Sequence, residues 1–126
     1  MSARRLLVVD DEPRFCDFVK TVAIKAGFEV ESAKDGYEFK ALYCANEPDV
    51  VVLDVVMPGI DGVELAQWLA ERGARTHIVI VTGFAPDYAS LAKNLGEAKG
   101  LLSVITLNKP VRMADLQQAI SHSDCA

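Results

Sequence analysis

This sequence predicts an α/β fold: a doubly wound, five-stranded parallel sheet with strand order 2-1-3-4-5 and helices on both faces. Three observations lead to it. Short apolar runs alternate five times with stretches whose apolar residues recur at helical spacing. Runs such as Val50-Val51-Val52-Leu53 are apolar throughout, the pattern of a strand covered on both faces. Parallel neighbours must be joined by crossovers, and right-handed crossovers place helices on both sides of the sheet.

The units run in order along the chain. Residues 6–9 form a first strand, and Phe15, Phe18, Val19, Val22, Ala23 and Ala26 mark a helix face ended by Gly27. Residues 28–33 read as a half-exposed second strand and Asp35-Gly36 as a turn. Phe39, Leu42 and Tyr43 then mark a second helix, stopped before Pro48. The third unit is the strand 50–53 with Leu65, Trp68 and Leu69 on its helix. The fourth is 78–81 with Tyr88, Leu91, Ala92 and Leu95, and the fifth is 101–107 with Met113, Leu116 and Ile120. Residues 121–126 read as a frayed end.

Length and composition bound the function. The 126 residues, 51% hydrophobic, suit a single domain over 1–126 with a core of its own. A net charge of -5 without a basic stripe argues against a nucleic-acid surface. No apolar stretch has the length of a membrane span, so a cytoplasmic protein is expected. Cys16, Cys44 and Cys125 are odd in number and widely spaced, which suits reduced thiols rather than a disulfide framework or a zinc site.

In the expected strand order, the first and third strands are neighbours and the winding reverses at their carboxyl ends, where ligands of such sheets bind. Asp10 and Asp11 end the first run, Asp54 ends the third, Thr82 ends the fourth, and Lys109 comes after the fifth. A lone Asp at a strand end is often a helix cap or turn residue. Three converging acids repel one another and call for a cation, most simply Mg2+ with its preference for oxygen ligands. Asp54, with a loop containing Pro58, Gly59 and Gly62 just after it, is placed to attack phosphorus and become an aspartyl phosphate. Metal and Lys109 would offset charge on the phosphoryl oxygens.

The segments LLVVDDEP, GFEVESAKDGYE, PDVVVLDVVMPGIDGVELAQWL, VIVTG and LNKP resemble, in order, the pieces of a response regulator receiver domain of bacterial two-component signalling. The resemblance spans nearly the whole chain and implies the flavodoxin-like form of the sheet. It implies that Asp54 is the phosphoacceptor, that Asp11, Asp54 and the backbone carbonyl of Val56 ligate Mg2+ directly, and that Asp10 acts through water. It assigns Lys109 and Thr82 to the phosphoryl group and makes the Lys109-Pro110 bond cis. The implied protein is a switch that catalyses only its own phosphorylation and dephosphorylation. Its phosphodonor is a sensor histidine kinase or histidine phosphotransfer protein. Output passes to a downstream protein or to an effector domain absent from this chain, and a homodimer through the fourth and fifth units is compatible with it.

The sequence departs from the family pattern in places. Thr106 stands where an aromatic switch is usual, and Val56 and Phe84 are apolar at positions that commonly tune dephosphorylation. Thr82 and Lys109 are 27 positions apart, longer than in most of the family, and this stretch is similar to receivers found ahead of cyclic-di-GMP phosphodiesterase domains. Conformational change is therefore expected from Thr82 through Gly83 and Phe84 toward Lys99. A phosphohydrolase would need an acid where Val56 stands, and a nucleotide or flavin binder would need a glycine-rich loop after the first strand. His77 is expected at the surface, Trp68 in packing, and Glu29, Glu31 and Glu38 on solvated faces.

Overall fold

The computed structural model describes residues 4–54, 62–72, 76–83 and 104–121. Five strands, β1 (Arg4–Val9), β2 (Phe28–Ala33), β3 (Val50–Asp54), β4 (His77–Thr82) and β5 (Val104–Asn108), form one sheet in the order β2-β1-β3-β4-β5. Every pairing is parallel. The expected fold class and strand order are those observed. The helix expected around Tyr88 to Leu95, the loop containing Val56, and Phe84 all lie outside the described residues.

Strand periodicity divides the core into two layers, because successive side chains point to opposite faces. Leu7, Val9, Val51, Leu53, Ile78 and Ile80 pack on one face with Phe39, Tyr43, Leu65 and Leu69 from helices α2 (Gly36–Ala45) and α3 (Gly62–Glu71). Leu6, Val8, Val50, Val52, Val79 and Val81 pack on the other face. There they meet Val19, Val22, Leu116 and Ile120 from α1 (Pro13–Lys25) and the C-terminal helix (Met113–Ser121). β3 and β4 are buried along their whole length, as continuous apolar runs between two helical layers should be.

Local signals set the helix ends. Pro13 opens α1, where its missing N–H costs nothing, and Gly27 takes a φ of +94° just beyond the helix end, a conformation that favours glycine. Asp35 does more than turn the chain: its Oδ1 accepts the Glu38 amide at 2.8 Å and so caps α2. Glu38 Oε1 in turn accepts the Lys34 amide at 3.0 Å. Glu29 and Glu31, on an outer strand, pair with Arg5 at 3.4 and 2.6 Å.

His77 corrects the surface reading. It is buried, and Nε2 lies 2.9 Å from the Ala119 carbonyl oxygen of the C-terminal helix. Since a carbonyl only accepts, the hydrogen bond places a proton on Nε2. The sequence shows His77 opening a strand, but its burial comes with β3 beside it and the helix above. Trp68 is a packing residue as expected, edge-on to Phe39 and Tyr43 with ring centroids 6.2 and 5.4 Å away.

Candidate phosphoryl-transfer site

Strand register brings the singled-out residues together. Val9 pairs with Leu53, so Asp10 and Asp54 emerge side by side, and Asp54 in turn sits across from Val81, next to Thr82. Thr82 is paired with Asn108, which puts Lys109 beside it, and the Lys109 amide donates to the Thr82 carbonyl at 2.8 Å. Gly83 lies against the lysine stem, where a Cβ would meet Lys109 Cδ at 3.6 Å, an ordinary contact distance. The Lys109-Pro110 bond is cis, as the resemblance implies.

Carboxylate oxygens of Asp10, Asp11 and Asp54 all lie within 4.8 Å of one another. Asp10 and Asp54 are buried and Asp11 is exposed, so the cluster has two acids set into the protein and one facing solvent. That donor set fits Mg2+, which takes hard oxygen ligands from one or two carboxylates and keeps several waters. Val56, expected to contribute its carbonyl, lies outside the described residues.

A cation is built in at the cluster's edge. Lys109 Nζ lies 2.9 Å from Asp10 Oδ2, 3.2 Å from Glu12 Oε1 and 3.8 Å from Asp54 Oδ2. The other oxygen of Asp10 accepts the Glu12 amide at 2.8 Å. Burial nonetheless raises the Asp10 pKa from its ordinary value, outweighing the lowering by the Glu12 amide and Lys109. For Lys109 the balance goes the other way: burial lowers its pKa, but Asp10, Asp54 and Glu12 together raise it above its ordinary value. The two directions agree on a lysine that keeps its proton beside an acid whose charge is costly.

Glu12 and Phe15 were not singled out by the sequence beyond a place in the LLVVDDEP string and on a helix face. The Lys109 ammonium stands 4.5 Å from the Phe15 ring centroid, within cation–π range. The only hint in the sequence is the third acid of the run Asp10-Asp11-Glu12.

Residues 6–121 match the family model described as the response regulator receiver domain. The chain belongs to that family, and is thus a CheY-like receiver domain of two-component signalling, a class of signalling switch. A positive alginate biosynthesis regulatory protein of Pseudomonas aeruginosa is 37% identical over 118 residues, 91% of this chain and 45% of the relative. The transcriptional regulatory protein TrcR of Mycobacterium tuberculosis is 38% identical over 81 residues, 64% of this chain and 32% of the relative. The chain therefore spans about a third to somewhat under half of these curated relatives. Among solved structures, the chemotaxis protein CheY4 of Vibrio cholerae superposes with a TM-score of 0.81 at 28% identity, over 97% of this chain and 99% of that one. A receiver domain protein from Clostridium thermocellum does so with a TM-score of 0.80, also at 28% identity, over 95% and 93%. Family members work with histidine kinases.

Proposed function

We propose that this receiver accepts a phosphoryl group on Asp54 from the phosphohistidine of a sensor histidine kinase or histidine phosphotransfer protein. The observation that carries the reading is the convergence of three carboxylates within 4.8 Å, with Lys109 3.8 Å from Asp54. An Asp54 carboxylate oxygen attacks phosphorus as the phosphorus–nitrogen bond of the donor breaks, and the imidazole leaves with the bonding electron pair. Lys109 and the Thr82 hydroxyl, at the ends of adjacent strands, hold the phosphoryl oxygens. Asp11, Asp54 and the Val56 carbonyl would hold Mg2+ directly and Asp10 through water. When bound, the ion supplies positive charge to the phosphoryl oxygens. Asp10, buried and fixed by the Glu12 amide, orients the cluster and anchors Lys109.

The chain's own catalysis is confined to gaining and losing this group. The new charge biases Thr82 and the segment after it, changing affinity for a downstream protein or for an effector domain of a longer protein. Its net charge of -5 supports contact with proteins rather than direct contact with nucleic acid. Among the described residues no helix is long and apolar enough to cross a membrane. The proposed reading places the protein in the cytoplasm, where the kinase's transmitter end would meet it.

Incubation with Mg2+ and acetyl phosphate should add one phosphoryl group, read as an intact-mass increase that Asp54→Asn abolishes. Labelling that persists in the Asn variant would move the acceptor elsewhere.

A further inference from the structure

We propose that Glu12 and the ring of Phe15 form a resting seat for the Lys109 ammonium, from which the lysine must be drawn before it can serve the phosphoryl group. The inference rests on Asp54 being the phosphoacceptor and goes beyond it by assigning two positioning residues.

Distances place the ammonium on the α1 side of the cluster. It lies within hydrogen-bond reach of Asp10 and Glu12, at 2.9 and 3.2 Å, and 3.8 Å from Asp54 Oδ2. Phe15 offers its ring face from the same side at 4.5 Å. Glu12 occupies the N-cap position of α1, and its side chain makes no cap hydrogen bond. The Phe15 and Cys16 amides donate to the Glu12 backbone carbonyl, at 3.1 and 3.2 Å, as the first bonds of a helix ordinarily do. The Glu12 carboxylate meets a lysine 97 positions away. Asp10 contributes to the same arrangement, with one oxygen holding the Glu12 amide and the other holding Lys109.

A phosphoryl group on Asp54 has to compete with this seat for the same ammonium. Asp10 would be engaged through metal-bound water when the site is loaded, but Glu12 and Phe15 lie outside the acid cluster and keep their hold. Glu12 is 63% exposed at its side chain, so its share is modest and sensitive to salt.

The test is calorimetric titration with beryllofluoride at saturating Mg2+, established separately for each variant. Glu12→Gln should bind about two- to fivefold more tightly than wild type at low salt, the range an exposed ion pair permits. That advantage should narrow at roughly 0.5 to 1 M salt, where screening lengths approach contact distance. Phe15→Leu keeps the apolar packing and the net charge, and should also bind more tightly. Asp17→Asn removes an exposed negative charge from the same helix without touching the lysine, and should not. Unchanged or weaker binding in Glu12→Gln, no gain in Phe15→Leu, or an equal gain in Asp17→Asn overturns the seat. If wild type binds beryllofluoride and the variants do not shift, only the seat fails. Wild type that binds none, like Asp54→Asn, removes the phosphoacceptor reading and the seat with it.

Discussion

Lys109→Met isolates the electrostatic role of the lysine, because methionine keeps much of the alkyl stem beside Gly83 and removes the charge. Asp10 has no exposed side-chain surface and Lys109 only 17%, so the substitution leaves a buried carboxylate without its cation. Removing one partner of a buried pair typically costs ~3–5 kcal/mol. The partial exposure of Lys109 and the Glu12 amide on Asp10 lower that to about 2–3 kcal/mol, a fall in melting temperature on the order of 10 °C for a domain this size. Thermal melts in EDTA would measure it. Mg2+ should bind the variant more tightly, because the ammonium that repels it is gone, and so narrow the gap by about 1.4 kcal/mol for each tenfold difference in affinity at saturating ion. The pH dependence has a definite sign. The Lys109 pKa is raised in the fold, so its contribution is complete below the ordinary value of 10.5 and is lost as pH rises through the folded value. The Asp10 pKa is also raised, so its protonation on acidification favours the folded state, and the variant should recover most at low pH. A metal-free variant as stable as wild type at neutral pH, or a gap indifferent to Mg2+, would refute the reasoning.

Three further outcomes are expected. In a Cys125→Ser background, Cys44 should react promptly with a thiol reagent at pH 8. Buried Cys16, whose thiol is pushed up to about 11 by burial, should stay silent until the protein unfolds; two equally fast thiols would contradict this. His77→Leu removes the ring donor to the Ala119 carbonyl and should cost about 1–2 kcal/mol, with hydrogen exchange increasing in the C-terminal helix before the central strands. Leu116→Ala, at a fully buried site under the sheet, should cost about 2–5 kcal/mol in urea unfolding without changing beryllofluoride affinity.

Much of the architecture could be read directly because its signals are local. The unbroken apolar runs of β3 and β4, the helical spacing from Phe15 to Ala26, and the stops at Gly27 and before Pro48 each depend on a few consecutive residues. Boundaries were less exact. The fifth strand, expected to end at 107, runs to Asn108, residues 101–103 of the expectation lying outside the described residues, and Asp35 proved to be a helix cap as well as a turn residue. Whether Asp35 bonds the Glu38 amide depends on dihedral angles that the dipeptide Asp35-Gly36 does not specify alone.

The sequence by itself determined the order of strands and helices and the residues at the strand ends. A parallel sheet fixes which ends meet, so Asp10, Asp11, Asp54, Thr82 and Lys109 could be placed at one edge from their positions alone. Only the tertiary structure decided what surrounds them. His77 is buried because the C-terminal helix covers the start of its strand, with the Ala119 carbonyl, 42 positions away, accepting a hydrogen bond from its ring. Lys109 lies closer to Asp10 and Glu12 than to Asp54, over the Phe15 ring, because β5 and the start of α1 converge in space. A strand end marks where a side chain leaves the sheet. Which charge it then meets depends on a few ångströms of packing between elements far apart in the chain, and those distances set the energies.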